Sequence, residues 1–455
     1  MRLFQALQLS DGEVVAFVGA GGKTTGMFRL AEDVVEQGGR VLTTTTTHMS
    51  TDQIRIAPRH LSAFEANRVA VAAALARNAH VLITGPADRT LGRASAVTTG
   101  LLEELQQLPD LNAIVVEADG ARMLPFKAPA AHEPVIPSNT SLVVPVAGLD
   151  ALGRPLAEDQ VHRPEIIARL AGVELGTPVN PTVVAAVLAH PDGGLKGVPA
   201  GARVRVLLNK AETPEALAAG REIAARVLAA AERVDAVLLG TVRRPNAVRE
   251  VHGRVAAVVL AAGRSTRMGR SKQLLPWGGS TMLAEVVRRL RQTTVTDIVV
   301  VTGAERAAVE ASLADLQPGE PRLRCVFNPD FAVSEMARSL QVGLRTLPAN
   351  RSAALVILAD QPHLETGVVE AVAQRWRETQ APVVAPYFQG QRGHPMLFDR
   401  TVWPAILALA ADANPREAVR AAGAIERVDV DSETILRDID TPDEYARQAA
   451  ADGLL

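Results

Sequence analysis

The sequence predicts an α/β fold made of two nucleotide-binding domains. Short apolar runs of strand length alternate with amphipathic helical segments along both halves, a pattern typical of mainly parallel sheets covered by helices. A strand followed by a Gly-rich loop and a helix occurs twice, beginning near Val14 and near Val255. The 455 residues leave room for two or three domains of about 150 residues or more, so each such unit is expected to open a domain of its own.

Composition excludes several classes of partner and site. The 48 Lys and Arg residues nearly balance the 50 Asp and Glu residues, and aromatic residues make up 3% of the chain, so neither a polyanion-binding surface nor base-stacking platforms are expected. The single cysteine, Cys325, excludes disulfide frameworks and thiolate metal sites and suits a reducing compartment. The first residues lack the apolar run of a signal peptide, and no apolar run approaches the roughly 18–20 residues of a membrane helix. We therefore expect a cytoplasmic protein with no nucleic-acid or membrane partner.

In the first half, buried strands and helices alternate in a regular order. The helical signals include an apolar face from Met27 to Val35 and a segment rich in helix formers at Ala216–Ala231. The predicted strands are Val14–Val18, Arg40–Thr44, Val81–Thr84, Ala113–Val116, Leu142–Val146, Arg203–Leu208 and Ala236–Leu239.

The second half opens with a strand at Val255–Leu260, then a Gly- and Arg-rich loop and a helix whose apolar face includes Met282 and Leu290. We place the domain boundary in the polar stretch 243–254. The predicted domains are residues 1–248 and residues 255–455.

The first loop has the chemistry of a P-loop. Its glycines would let backbone N–H groups converge on phosphate oxygens, the lysine adds a full positive charge, and a threonine hydroxyl can hold Mg²⁺. Because Phe17 stands where the strict motif has glycine, the loop is a variant, and a ligand-free Gly-rich turn is the alternative. The predicted nucleotide-binding residues of this loop are Gly19, Gly21, Gly22, Lys23, Thr24 and Thr25.

Three other segments belong to the same predicted site. The strand at residue 113 ends in Glu117 and Asp119, and Asp119 is our candidate metal ligand. Asn209-Lys210-Ala211-Glu212 is similar to the guanine-reading motif of GTPases. Asn209 and Lys210 are therefore candidate residues for binding ATP or GTP. A loop without a ligand is an equal alternative. The threonines at 43–47 could line a pocket or simply favour a strand.

These segments resemble the YqeC family, which is linked to the maturation of selenium-dependent molybdenum hydroxylases. The resemblance rests on VGAGGKTT, the threonine-rich strand, EADGAR, PFKAPAAHEPVIP and LLNKAE, and it covers most of residues 1–245. It implies a maturation context, with an apo molybdenum hydroxylase as a possible partner, more than it implies a reaction.

The second loop places small residues and two positive charges directly after a buried strand. Ala261, Ala262 and Gly263 let the backbone approach a nucleotide, and Arg267 and Lys272 would bind its phosphates. Gly269 is a further candidate nucleotide-binding residue in this loop.

Carboxylates for a divalent ion follow later in the chain. Asp360 ends an apolar strand, and Asp438 and Asp440 form an acidic pair before a helix. Mg²⁺ typically takes one or two protein carboxylates together with phosphate oxygens, so all three are candidate metal ligands. A helix-entry acid is the alternative reading of Asp440.

The second half resembles the MobA/MocA nucleotidyltransferases, particularly molybdenum cofactor cytidylyltransferases, over about residues 254–447. The resemblance rests on LAAGRSTRMGRSKQLLP, ILADQPHL, GQRGHPMLF and DIDTPDEY. It implies a Rossmann-like (GT-A-like) domain, with Arg267, Lys272 and Asp360 as catalytic residues and Ser339 near the nucleotide. Ala262 resembles the cytidylyltransferase members, since guanylyltransferases more often have glycine there.

The implied reaction is attack by a phosphate of a molybdopterin-type cofactor on the α-phosphorus of CTP, with Mg²⁺ and release of pyrophosphate. His394 is a candidate contact to the acceptor, with a structural role as the equal alternative. Two other functions stay open: transfer to a sugar or polyol phosphate, and a nucleotide-switched chaperone that delivers cofactor to the hydroxylase.

Overall fold

A computed structural model describes residues 1–88, 90–264, 268, 271–332, 336–410, 417, 419–420 and 423–454. These residues form two compact units, Met1–His252 and Gly253–Leu455. The division falls inside one long strand, Val248–Ala261. The predicted Arg267 and Gly269 lie outside the described residues.

The first unit alternates strands and helices as the hydrophobic pattern predicts, and each predicted strand overlaps an observed one with bounds that differ by one or two residues. Its strands are β1 (Glu13–Gly19), β2 (Val41–Thr45), β3 (Met49–Ser50), β4 (His60–Ser62), β5 (His80–Thr84), β6 (Ala87–Asp88), β7 (Arg93–Ala94), β8 (Ala113–Glu117), β9 (Leu142–Gly148), β10 (Arg203–Asn209) and β11 (Ala236–Gly240). Its helices are α1 (Leu3–Leu7), α2 (Lys23–Glu36), α3 (Thr51–Ile54), α4 (Arg68–Asn78), α5 (Thr99–Gln106), α6 (Pro164–Ala171), α7 (Pro181–Ala189) and α8 (Pro214–Ala230), with a 3₁₀ turn at Leu149–Ala151.

The main sheet of this unit has the order β4-β5-β2-β8-β1-β9-β10-β11, and its strand pairs are parallel. Helices cover both of its faces. Val15 and Phe17 of β1 are buried with apolar residues of α2, whereas Val14 is buried with apolar residues of α4 and α5. Because side chains alternate across a strand, this division explains why β1 reads as a continuous apolar run.

The first predicted site lies at the carboxyl ends of the central strands. β1 lies between β8 and β9, and the chain leaves it through α2 to reach β2 on the far side of β8. Open parallel sheets bind ligands at such a switch point, outside the carboxyl ends of the strands. The loops that follow β1, β2 and β8 therefore meet at one edge.

The second unit is also α/β, but its sheet is mixed. Its strands are β12 (Val248–Ala261, shared with the first unit), β13 (Pro276–Trp277), β14 (Ser280–Thr281), β15 (Asp297–Thr302), β16 (Leu323–Phe327), β17 (Arg351–Leu358), β18 (Val383–Phe388), β19 (Gln391–Arg392), β20 (Met396–Asp399) and β21 (Ile425–Asp429). Its helices are α9 (Met282–Leu290), α10 (Arg306–Ser312), α11 (Met336–Arg345), α12 (Thr366–Thr379), α13 (Trp403–Leu407) and α14 (Pro442–Ala451), with 3₁₀ turns at Lys272–Leu274, Ala314–Leu316, Arg400–Val402 and Glu433–Leu436.

Strands β16, β15, β12 and β17 pair in parallel, and β20 then runs antiparallel between β17 and β18. The expected parallel arrangement therefore holds for these four strands and for the pair of β18 and β21, whereas the pairs β17–β20, β18–β20 and β18–β19 are antiparallel. Alternate residues of β12 again serve two layers: Val259 is buried with residues of α9 and α12, and Val258 with residues of α11 and α13. Within the described residues, none of the helices combines the length and apolarity that a bilayer crossing requires.

A glycine sets how closely α11 approaches this sheet. A Cβ atom at Gly343 would lie 2.4 Å from Cγ1 of Val258 and 3.2 Å from Cγ2 of Val301. We expect Gly343→Val to lower the free energy of unfolding by about 1–3 kcal/mol, because overpacking a dense core forces neighbouring side chains and backbone to shift. Urea unfolding of the full chain measures this change. The control is Gly367→Val on α12, where an added Cβ meets nothing within 4 Å, and equal losses from the two variants would contradict the prediction.

Candidate functional site

The first site begins at the loop between β1 and α2, where backbone packing requires glycine. Gly21 has φ +86°, and a Cβ there would lie 2.3 Å from the backbone N of Gly148 and 2.5 Å from the carbonyl O of Pro125. Gly22 has φ +137°, and a Cβ there would lie 2.2 Å from Nδ2 of Asn209. Only glycine combines this positive φ with so close a backbone approach, so the loop shape is built into the sequence.

Lys23 opens α2 and is held by groups of its own unit. Its Nζ donates to the carbonyl O of Gly19 at 2.6 Å and lies 3.2 Å from Asp119 and 3.7 Å from Glu117. The side chain is 3% exposed. A triphosphate at this loop would meet a lysine whose charge two acids already balance.

Thr24 and Glu117 form a second contact in this site. The Thr24 hydroxyl donates to Oε2 of Glu117 at 2.7 Å and accepts from the Gln53 side chain at 3.0 Å. Burial raises the pKa of Glu117, and the nearby Lys23 and Thr24 oppose that rise. A hydroxyl beside a carboxylate at a helix start is the oxygen pair that a P-loop uses to hold Mg²⁺. Thr25, the next residue, is exposed.

Asp119, our predicted metal ligand, already forms hydrogen bonds and ion pairs with other protein groups. Its two carboxylate oxygens accept from the backbone N of Gly19 at 3.0 and 3.1 Å, and it forms ion pairs with Lys23 and, at 2.8 Å, with Lys127. It is 2% exposed. The geometry therefore gives Asp119 the role of a buried anchor and makes Glu117 the acid that lies beside the Thr24 hydroxyl.

Beyond Asp119 the charge network continues through Lys127 to Glu133. Lys127 Nζ lies 2.6 Å from Glu133, and Arg163 donates to the two oxygens of the same carboxylate at 2.6 and 3.0 Å. Burial alone would raise the pKa of Glu133, but the hydrogen bonds and charges of Arg163 and Lys127 outweigh it and lower the pKa to about 2. Glu133 therefore stays ionised across the physiological range.

The predicted Asn209 contacts the loop itself. Its Nδ2 donates to the carbonyl O of Gly21 at 2.7 Å, and its Oδ1 accepts from the backbone N of Val242 at 3.0 Å. Lys210 pairs with Asp150 at 2.7 Å, and Glu212 is exposed. The amide of Asn209 thus ties the loop to the strand after α8.

The threonine-rich strand makes structural hydrogen bonds. The hydroxyl of Thr43 bonds with the His80 ring, and those of Thr44, Thr45 and Thr46 donate to backbone carbonyl oxygens. The reading in which threonine serves the strand accounts for these four residues.

The second site lies at the carboxyl end of β12. Ala261 and Ala262 are buried, and nothing lies within 4 Å of a Cβ added at Gly263. The buried side chain of Gln273 donates to the carbonyl oxygens of Ala261 at 3.3 Å and Gly263 at 3.4 Å. Gln273 therefore holds the start of this loop.

Lys272 lies between two acids that are distant in sequence. Its Nζ donates to Oδ2 of Asp360, which follows β17, and at 2.7 Å to Oδ1 of Asp440, which precedes α14. Burial alone would lower the pKa of Lys272, but the charges and hydrogen bonds of Asp360 and Asp440 outweigh it and raise the pKa. Asp440 is also tied into the helix start, because its backbone N donates to Glu444.

Asp438 and His394 lie beside this pair. Asp438 accepts from Gln361 at 2.6 Å, and its pKa is raised by burial and by the charge of Asp360. Burial lowers the pKa of His394, while Asp360 opposes the change, and His394 Nδ1 is buried without a hydrogen-bond partner among the described residues. Both residues are therefore within electrostatic reach of Asp360.

Ser339 takes part in a different set of contacts. It lies in α11, is 7% exposed, and its hydroxyl accepts from Nδ2 of the fully buried Asn328 at 3.0 Å. Its side chain fixes the loop after β16 in the described geometry.

The carboxylates around Lys272 suit a divalent cation. Asp360 and Asp440 already converge on one positive charge, and hard oxygen ligands of this kind are those that Mg²⁺ prefers. Among the described residues, no group of three or more His, Cys, Asp or Glu side chains is arranged to hold a metal ion. Two carboxylates plus phosphate oxygens are a normal set for Mg²⁺, so these residues fit the ion as part of a complex with nucleotide.

Sequence reasoning assigned no role to four residues that the structure makes central, Lys127, Glu133, Arg163 and Gln273. Lys127, Glu133 and Arg163 build the charge network behind Asp119, and they come from two loops that are about 30 residues apart. The density of charge among prolines at 125–134 was the only signal available. Gln273 was missed because its role depends on backbone carbonyl oxygens, which leave no trace in a motif.

Comparison with protein families places both halves of the chain. A family model described as "YqeC protein" matches residues 15–165, and one described as "MobA-like NTP transferase domain" matches residues 257–428. Both resemblances inferred from the motifs are confirmed.

Three individual relatives show how far the likeness extends. The Escherichia coli (strain K12) protein named "Uncharacterized protein YqeC" is 33% identical over 204 residues, which cover 43% of this chain and 75% of that protein. The "Nicotine blue oxidoreductase" of Paenarthrobacter nicotinovorans is 30% identical over 201 residues, which cover 42% of this chain and 95% of that protein. The "Molybdenum cofactor cytidylyltransferase" of Escherichia coli (strain K12) is 24% identical over 188 residues, which cover 41% of this chain and 92% of that protein.

The charge network predicts a pH-dependent stability. The folded pKa of Glu133 is about 2, below its ordinary 4.5, so its ion pairs stabilise the fold above pH 4.5, and this contribution is lost as the pH falls toward 2. We expect Glu133→Gln to lower the free energy of unfolding near neutral pH, and the gap to wild type to narrow as the pH falls. Urea unfolding between about pH 6 and pH 3 measures the gap. The control is Glu158→Gln, an exposed acid nearby, and a gap for Glu133→Gln that stays constant with pH would contradict the assignment.

Proposed function

The chain belongs to the YqeC family through its first unit and to the MobA-like NTP transferase family through its second, and from that premise we propose that the second unit transfers CMP from CTP to a molybdopterin-type cofactor. The second unit is a nucleotidyltransferase by family. The choice of CTP and of the acceptor is the proposal. The likeness to the molybdenum cofactor cytidylyltransferase supports that choice, and the observation that carries the transfer reaction itself is the position of Lys272 between Asp360 and Asp440.

The reaction exchanges one phosphoanhydride bond for another. An oxygen of the acceptor's phosphate monoester attacks the α-phosphorus of CTP, a new P–O bond forms, and the bond to the β-phosphate breaks to release pyrophosphate. The second pKa of a phosphate monoester is about 6, so the attacking oxygen is already anionic near neutral pH. No side chain has to remove a proton, and catalysis rests on positioning and charge neutralisation.

Lys272 would neutralise the phosphates of the bound nucleotide. Its raised pKa keeps the ammonium charged, and its contacts with Asp360 and Asp440 support a role beside a triphosphate–metal complex. Arg267, which lies outside the described residues, is proposed to act on the same phosphates, and Gly269 to give the loop room.

Asp360 and Asp440 would hold Mg²⁺, with Asp438 close behind them. Mg²⁺ bound there would stabilise the negative charge that develops on the phosphates in the transition state. Asp440 suits direct ligation better than Asp438, because Asp440 shares the Lys272 ammonium with Asp360 whereas Asp438 is bonded to Gln361. His394, which is within electrostatic reach of Asp360, would contact the acceptor.

We further propose that the first unit binds ATP or GTP at residues 19–25 and serves the delivery of cofactor to an apo molybdenum hydroxylase. The support is the arrangement of Lys23, Thr24 and Glu117, which matches the charge, hydroxyl and acid that a P-loop presents to a magnesium nucleotide. A delivery chaperone that uses the nucleotide as a switch needs binding but not rapid hydrolysis.

A sugar or polyol phosphate is the alternative acceptor for the second unit. Transfer to a sugar or polyol phosphate uses the same attack on an α-phosphorus, so the loop chemistry does not separate the two. Mass spectrometry of the products from CTP, GTP and UTP with molybdopterin cofactor and with sugar phosphates identifies both nucleotide and acceptor. A cytidine dinucleotide of the cofactor as the main product is expected, and a sugar-linked nucleotide would overturn the proposal.

Asp360 provides the first test of the transfer reaction. We expect Asp360→Asn to lower pyrophosphate release from CTP and cofactor by at least about a hundredfold, because it removes a charge that positions the metal and Lys272. Asp315→Asn, which removes an exposed acid of the same unit, should leave the rate within twofold of wild type. Full activity in Asp360→Asn would contradict the metal assignment.

Lys23 provides the test of the first unit, and it is done in the full chain. We expect Lys23→Met to abolish any orthophosphate release from ATP or GTP and to weaken binding of a fluorescent nucleotide, while pyrophosphate release by the second unit persists. Orthophosphate reports hydrolysis by the first unit, and pyrophosphate reports transfer by the second unit. Arg77→Met removes an exposed positive charge from α4 and should change neither signal. Nucleotide binding that is unchanged in Lys23→Met would contradict the loop's proposed role.

A further inference from the structure

The first unit contains a cavity that none of the proposed reactions uses. Its volume is about 340 Å³, enough for a small molecule, and its wall includes Gly120, Arg122, Glu133, His162 and Arg163. Glu133, which lines the cavity, also belongs to the charge network that runs through Lys127 to Asp119.

His162 is the buried polar group of this cavity. It is 9% exposed, and among the described residues its ring has no hydrogen-bond or ion-pair partner. Burial, followed by the charges of Arg163, Lys127 and Arg122, lowers its pKa to about 4, and Glu133 alone opposes the change. His162 is therefore neutral at pH 7 and presents one N–H donor at the cavity wall.

The charges that act on His162 favour an anion. Three of the four charged groups that influence the ring are positive, and the negative one, Glu133, is held by both Lys127 and Arg163. Arg122 is exposed at the cavity and has no ion-pair partner among the described residues. An arginine fork beside a neutral imidazole N–H is a suitable donor set for phosphate or carboxylate oxygens.

The backbone around the cavity is strained at three residues that are not glycine. Arg122 has φ +48°, Met123 has φ +60° and Arg163 has φ +65°. Residues held in the left-handed region gather at ligand-binding sites. Arg122 and Arg163 both line this cavity.

The start of α6 adds to the same potential. The helix begins with Pro164 at the cavity wall, and its N-terminal end carries the partial positive charge of the helix dipole. Two acids of the wall, Glu158 and Glu165, are exposed like Arg122, so solvent and salt screen all three charges.

We propose that this cavity binds a small oxyanion, the phosphate monoester or carboxylate end of a metabolite, between Arg122 and His162. The ligand accepts from the neutral ring N–H of His162 and from the guanidinium of Arg122, while Arg163 stays on Glu133. The site is separate from the loop at residues 19–25, and it requires no nucleotide.

Nuclear magnetic resonance of the full chain labelled with ¹³C-histidine tests the proposal directly. The signal of His162 is assigned as the one that disappears in His162→Gln. Inorganic phosphate and acetate are titrated separately against sodium chloride of equal ionic strength. We expect a saturable shift of the His162 signal with phosphate if the ligand end is a phosphate, or with acetate if it is a carboxylate, and no such shift with chloride.

Arg122→Met supplies the matched variant, because Arg122 is exposed and its loss leaves the fold intact. We expect it to weaken the oxyanion affinity about tenfold or more, since a charge-assisted hydrogen bond is lost. Arg77→Met, which removes one exposed charge elsewhere, should leave the affinity unchanged. Two results overturn the proposal: a His162 signal that responds to neither anion, and a response whose affinity is unchanged in Arg122→Met. If that unchanged response is lost in Lys23→Met, the anion binds at the phosphate loop.

Discussion

A single buried carboxylate, Asp119, organises the first unit. It accepts from the backbone of Gly19, pairs with Lys23 on one side and pairs with Lys127 on the other. Without it, Lys23 and Lys127, which are 3% and 0% exposed, would keep only Glu117 at 3.7 Å and Glu133 at 2.6 Å as their respective acidic partners. Breaking a buried ion pair by removing one partner costs about 3–5 kcal/mol, so the loop, the Lys127 segment and the Glu133 cluster all depend on this group.

The second unit uses the same principle with the signs reversed. There one ammonium, Lys272, lies between two carboxylates, Asp360 and Asp440. In each unit a lysine and its neighbouring acids balance one another's charge in the described structure. These ion pairs hold the charged side chains in place without a ligand. A magnesium nucleotide brings both charges at once, its phosphates for the lysine and its metal for the acids. Exchange of partners is therefore cheaper than binding a phosphate or a metal alone.

Strands and loops with a local signal could be predicted from the sequence. The runs at Val14 and Val255 lie in strands because their alternate residues are buried in two layers, and Lys272 and Asp360 meet because both follow the carboxyl ends of neighbouring strands, β12 and β17. The antiparallel strand β20 and the cavity at His162 could not be predicted in this way. They depend on how loops return across a sheet and on which charges share a buried space, and neither property has a fixed spacing along the chain.

The hydrogen bonds that Asn209 and the threonine strand already make bear on the two readings that the sequence leaves open. Asn209 uses its Nδ2 on Gly21 and its Oδ1 on Val242, so both ends of its amide serve the loop. A base-reading role would therefore add to a structural one, since an amide oxygen has two lone pairs. The exposed Glu212 is accessible to the edge of a base, whereas the hydroxyls of Thr44 and Thr45 already donate to backbone carbonyl oxygens. A residue's chemistry shows what it can bind, but the bonds that the fold already requires of it decide how much of that capacity is left for a ligand.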